Sequence, residues 1–155
     1  MRVLLLLLVF LAAAHPVAAQ VVVRTSLKPE GGVVLGQHVR VLADVLFPGD
    51  MPRPPRVAMP DMAGAQILRY ETQATTINDR IDGTDHVGQR FEFALYPRRG
   101  GVLEVPAPQV TLLDRAGEET GRIAGTPSRL EATVPAGVGP SRPVVGTSRV
   151  SLAER

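Results

Sequence analysis

Between Gln37 and Phe47 the chain alternates with a period of two. Val39, Val41, Ala43, Val45 and Phe47 fall on one side, and His38, Arg40 and Asp44 on the other. Gln89 to Tyr96 repeats the pattern, setting Phe91, Phe93 and Leu95 against Arg90, Glu92 and Ala94. Side chains along a strand point to opposite faces in turn, whereas a helix returns to the same face every 3.6 residues or so. These segments therefore read as half-buried strands, and an apolar sheet face needs a second layer against it. Past the first nineteen positions no long window shows helical periodicity.

Further strand signals follow at sandwich-like intervals. Val21 to Leu27 is rich in β-branched residues and ends at Pro29 and Gly31-Gly32. Gln66 to Thr72 reads as a strand with Leu68 and Tyr70 inward, and Thr75 to Ile81 as another. Asp82-Gly83 marks a tight hairpin, since glycine accepts the positive φ of such a turn. Val102 to Val105 and Gln109 to Leu113 flank Pro106-Ala107-Pro108 and read as one strand bent, or split between sheets, at the prolines. Arg129 to Val134 closes the fold with Leu130, Ala132 and Val134 inward.

Two stretches look different. Pro48 to Pro60 holds five prolines in thirteen positions and reads as an extended connection, neither strand nor helix. Asp114 to Pro127 reads as a polar, glycine-rich excursion. Leu42 and Leu46 interrupt the polar side of their strand, so that outer face is expected to be partly covered. The fold class expected is all-β: an immunoglobulin-like β-sandwich of seven or eight strands, favoured over a barrel.

Three regions divide the chain. Arg2, the apolar run Val3 to Ala14, the break at His15-Pro16 and the small residues Val17-Ala18-Ala19 have the layout of a secretory signal peptide over 1–19. The apolar run of about 12 residues is too short to span a bilayer. Residues 20–136 form the sandwich, and 137–155, rich in glycine, proline, serine and valine, read as a flexible tail. The localisation expected is therefore periplasmic, by secretion, with no membrane span after cleavage. No cysteine is present, which excludes disulfides, thiolate metal sites, cysteine nucleophiles and a lipid-anchored cysteine.

The charge pattern excludes a nucleic-acid footprint. Sixteen of the seventeen basic residues are arginine, but no basic run exceeds Arg98-Arg99, and stacking aromatics are sparse. Arg98 and Arg99 read as solubilising a turn. Catalytic signals are missing as well: beyond position 19 only His38 and His86 remain, no Gly-x-Ser-x-Gly elbow occurs, and the serines are scattered. Asp79, Asp82, Asp85 and His86, beside Asn78, form a polar cluster. Its acids recur every third residue, out of step with the alternating oxygens of a calcium loop, so it reads as a solvated hairpin tip. No catalytic, cofactor or metal residue is assigned, and the chain is read as not an enzyme. One alternative uses soft ligands: Met51, Met59 and Met62 with His38 or His86 would make a periplasmic copper carrier, against the reading that these methionines fill gaps under a loop.

Several phrases resemble a known family. Val21 to Leu27 leading into Val33-Val34-Leu35-Gly36-Gln37 is similar to the opening of the BatD, or oxygen tolerance, family, where a V-x-x-G-Q phrase leads into a long alternating strand. Tyr96-Pro97-Arg98-Arg99-Gly100-Gly101 followed by Leu103-Glu104-Val105-Pro106 resembles the family's P-x-x-x-G segment. Asn78 to Gly83, ahead of the Phe91 and Phe93 strand, sits where the family carries a polar hairpin. The resemblance covers roughly residues 21–135. Members are usually longer, with further β domains and a membrane helix. It implies a non-catalytic periplasmic interaction or scaffolding module in an aerotolerance or envelope-stress setting. Its expected partner is an envelope protein of the kind that carries a von Willebrand factor A domain.

Overall fold

The computed structural model describes residues 20–69 and 74–139. The expected signal peptide at 1–19 lies outside them, as does all of the expected tail but residues 137–139. Among the described residues the chain is an all-β sandwich without a helix. Eleven strands are present: β1 (Val22–Lys28), β2 (Val33–Val34), β3 (Val39–Pro48), β4 (Arg56–Ala58), β5 (Ala65–Arg69), β6 (Thr75–Ile81), β7 (Thr84–Pro97), β8 (Gly101–Val105), β9 (Gln109–Leu113), β10 (Glu119–Ala124) and β11 (Ser128–Thr133).

One layer is a five-stranded sheet in the order β1-β3-β7-β5, with β6 also paired to β7. The ladders are antiparallel, and β7 is long enough to carry both β6, along Thr84–Arg90, and β5, along Phe93–Pro97. The other layer is two three-stranded sheets, β10-β9-β4 and β2-β11-β8. The chain passes from one to the other at Pro106-Ala107-Pro108, between β8 and β9, because proline cannot donate to a continuing ladder. The strand is thus split between sheets.

Alternation places the core as expected. Val39, Val41, Ala43, Val45 and Phe47 of β3 and Phe91, Phe93 and Leu95 of β7 join Leu103, Val105, Val110, Leu130, Ala132, Val33 and Val57 from the facing layer in one buried cluster. Full burial of a side chain such as Phe93 contributes roughly 1.5–3 kcal/mol, so this shared interior holds the layers together.

Five expectations are corrected. Among the described residues the strands number eleven, not seven or eight, because the two-residue β2 was too short to read and β4 and β10 were hidden by composition. The proline-rich connection contains β4, whose three residues fit between Pro55 and Pro60 as an edge strand on β9. The polar excursion contains β10, an antiparallel partner of β9 with a register shift between Glu119 and Gly121. In β5 the inward set is Ala65 and Ile67, not Leu68; register with Pro97 and Leu95 decides, since both faces of β5 carry apolar residues. Tyr70 lies outside the described residues. Val134 follows the end of β11 and is half exposed, while Leu130 and Ala132 are buried as expected.

Candidate functional site

The β6–β7 hairpin is an arm built at the margin of the five-stranded sheet. Its turn is Asp82-Gly83, with φ of 49° and 79°, the paired left-handed geometry of a two-residue hairpin loop. Register runs unbroken from Ile81↔Thr84 to Thr75↔Arg90. The arm's β7 strand is paired to β3 from Asp44↔Arg90 to Pro48↔His86, and two further ties reinforce that ladder. The Gly49 amide donates to the Asp85 carbonyl at 2.8 Å, and Asp79 Oδ2 accepts from Arg24 Nη1 at 2.5 Å.

The second fastening is long. On the outer face Arg24 shares a row with Asp44, Arg90 and Thr75, while Asp79 shares a row with Pro48 and His86. Between them lies the row Val22, Leu46, Gly88, Ile77. The ion pair therefore crosses this row diagonally, from one margin of the sheet to the other, and the sheet must coil for the two side chains to meet. Gly88 supplies the room: a Cβ there would collide with the Val45 carbonyl oxygen and come within 2.9 Å of the Leu46 Cα. Leu46, on the outer face, is 1% exposed beneath this arrangement, and Leu42 is buried too. The partial covering expected from the sequence is present.

Polar groups on the arm are largely engaged. Arg24 donates to the Asp79 carboxylate and holds it below the usual carboxylate range, helped by the Arg80 amide at 2.8 Å from Oδ1 and by the positive field of His86. The His86 ring is buried, with Nδ1 2.9 Å from the Thr84 carbonyl oxygen. Arg80 and Asp85 stand 3.7 Å apart, both strongly exposed. Around them Gly49, Asn78, Asp79, Arg80, Asp85, His86 and Val87 line an open depression of about 470 Å³. The sequence cluster of Asn78, Asp79, Asp85 and His86 thus does gather there, while Asp82 sits in the turn. No group of three or more His, Asp or Glu side chains suited to a metal ion occurs among the described residues.

Beyond the arm the outer face carries cross-strand ion pairs. Arg90 forks onto Asp44 with both bonds at 2.7 Å, and Arg40 onto Glu92 at 2.7 and 2.6 Å. The Arg40 hydrogen bonds hold the Glu92 carboxyl below its ordinary range. Exposed pairs of this kind each contribute roughly 0–1 kcal/mol, so they fix register and solubility more than stability.

The soft-ligand residues are spread out. Met51, Met59 and Met62 pack against the core cluster. His38 stacks on Tyr96 with ring centroids 5.3 Å apart, at the start of β3, while His86 pairs with Pro48 at its end, roughly 30 Å away along the strand. Arg98 donates to the Gln66 side chain, and the Arg99 side chain lies over Gly64.

The edges differ in how well they are guarded. β2 has two residues and β4 three; β10 carries a register shift, and β8 stops at Pro106. Arg69 seals β5 to β4 by donating to the Val57 carbonyl oxygen at 3.1 Å. Gly125 packs so closely on β1 that a Cβ there would come within 2.9 Å of Val23 Cγ1. β6 is the less guarded edge, its charges being Asp79, held by Arg24, and Arg80, beside Asp85. Its seven residues hold no proline, no lysine and no bulge, and among the described residues it pairs with β7 alone. In the sequence this segment reads as half of a polar hairpin; its edge signal is the run Thr75-Thr76-Ile77, β-prone and free of edge-blunting residues. Comparison of the chain with protein-family models, curated proteins and solved structures gives no match.

Proposed function

We propose that the chain is a non-catalytic interaction or scaffolding module of the bacterial envelope, exported to the periplasm and similar to the N-terminal immunoglobulin-like domain of the BatD family. The observation that carries this reading is the seven-residue β6 strand, which among the described residues pairs with β7 alone, since an exposed edge is a template for pairing with another chain. The BatD-like phrases at Val33 to Gln37 and at Tyr96 to Pro106 support the same direction, and they point to an envelope partner bearing a von Willebrand factor A domain. On the outer face beside the hairpin, Arg24, Arg40 and Arg90 are engaged with Asp79, Glu92 and Asp44.

Affinity capture from periplasmic extract at low salt tests the proposal. A discrete envelope protein recovered with the chain, and lost at high salt or with an edge-blocked variant, is expected. Recovery of nothing above background overturns it.

A further inference from the structure

Resting on the reading of the chain as an interaction module, we infer that β6 is the docking edge and that its occupant is an extended segment of a partner protein, added antiparallel to Thr75–Ile81. The side chains beside that edge define the segment. Ile77 and Ile81 are partly buried, share the outer face and stand four residues apart. Arg80 lies on the other face, 71% exposed, with Asp85 at 3.7 Å as its ion-pair neighbour. An antiparallel strand places its residues opposite Ile81, Arg80 and Ile77 at positions one, two and five. Directly opposed side chains are neighbours in such a ladder, so the partner carries a β-branched residue first, a carboxylate second and a β-branched residue fifth. Position three faces Asp79, which Arg24 holds at 2.5 Å, far closer than the looser 3.7 Å Arg80–Asp85 pair, and takes a small uncharged residue.

A second copy of this chain fits poorly. The two-fold register that uses all seven residues turns about Asn78 and opposes Ile77 to Asp79 on both sides. Ile77 then meets a carboxylate, Ile81 meets Thr75, and Arg80 meets Thr76, so neither the apolar nor the charged positions are matched. The partner-segment pattern has no such conflict.

The probe is a synthetic heptapeptide, Val-Glu-Thr-Thr-Val-Thr-Thr, titrated into isotope-labelled protein and followed by amide chemical shifts. Expected are saturating shifts concentrated in β6 and the facing part of β7. N-methylation of the peptide amides one at a time abolishes them at alternate positions and leaves them intact at the others, the period-two signature of strand addition. Replacing the peptide glutamate by lysine weakens binding roughly two- to fivefold, the scale of an exposed cross-strand charge pair. The Arg80→Glu variant restores binding of the lysine peptide. The inference is overturned by an absence of shifts at millimolar peptide, by shifts centred on β1 or β8, by N-methyl effects without alternation, or by concentration-dependent dimerisation through β6. The module reading fails separately: if envelope capture yields a partner that the Arg80→Glu variant still holds equally well, the β6 assignment falls and the module stands. If capture yields nothing while the peptide binds as described, the reverse holds.

Discussion

Arg24 on β1 and Asp79 on β6 are joined by a 2.5 Å ion pair, although 55 residues and two intervening strands separate them. The pair lies diagonally over Leu46 and Gly88 and ties the hairpin arm to the far margin of its own sheet. The arm is held to β3 through the His86–Arg90 stretch of β7, and the pair adds a tie across the outer face; a preorganised edge loses less entropy when a partner binds.

The clasp has a pH signature. Because Arg24 holds the Asp79 carboxyl below its ordinary value, the stability it contributes is complete above the unfolded-state pKa of about 4 and is lost as pH falls through the lower folded-state value. In Arg24→Ala the carboxyl titrates nearer its usual range, retaining the smaller lowering due to the Arg80 amide. Carboxyl titration by NMR checks this. Hydrogen exchange of the β6 amides in Asp79→Asn is expected to be faster than in the parent. Unchanged titration in Arg24→Ala contradicts the clasp.

Gly88 tolerates no side chain. A methyl group there meets main chain of β3, which cannot swing aside, so Gly88→Ala is expected to cost about 2–3 kcal/mol or more. Gly121→Ala in β10 is the control: nothing lies within 4 Å of its added Cβ, and the change should stay within about 0.5 kcal/mol. Urea denaturation of the two variants decides.

Thr25 points a buried hydroxyl at the interior with no hydrogen-bond partner among the described residues. Valine has nearly the same shape and no polar atom to desolvate. Thr25→Val should therefore be neutral or stabilising by up to about 1 kcal/mol, in contrast to the usual loss on altering a core-facing site. Thermal unfolding measures the sign.

Much of this was legible in the sequence, and the illegible parts have physical causes. Strict alternation revealed β3 and β7, and Asp82-Gly83 revealed the hairpin, because those signals are local. β4 was masked by prolines that flank it without occupying it, and β10 by polar residues suited to an exposed edge. In β5 the adjacent Ile67 and Leu68 leave the inward face undetermined until β7 sets the register. The polar cluster of Asp79, Asp85 and His86 was visible as a cluster, yet its tie to Arg24 was not, since nothing local links residues 55 apart. Leu42 and Leu46 on a polar face were the hint that something lies over it.

Site-specific photo-crosslinking in living cells tests the central claim most directly. A photoreactive residue is placed at exposed Thr76 on β6 or, as a comparison, at exposed Thr120 on β10. A discrete crosslinked product from position 76, much weaker from position 120, is predicted. No product from position 76, or equal products from both, would contradict the account.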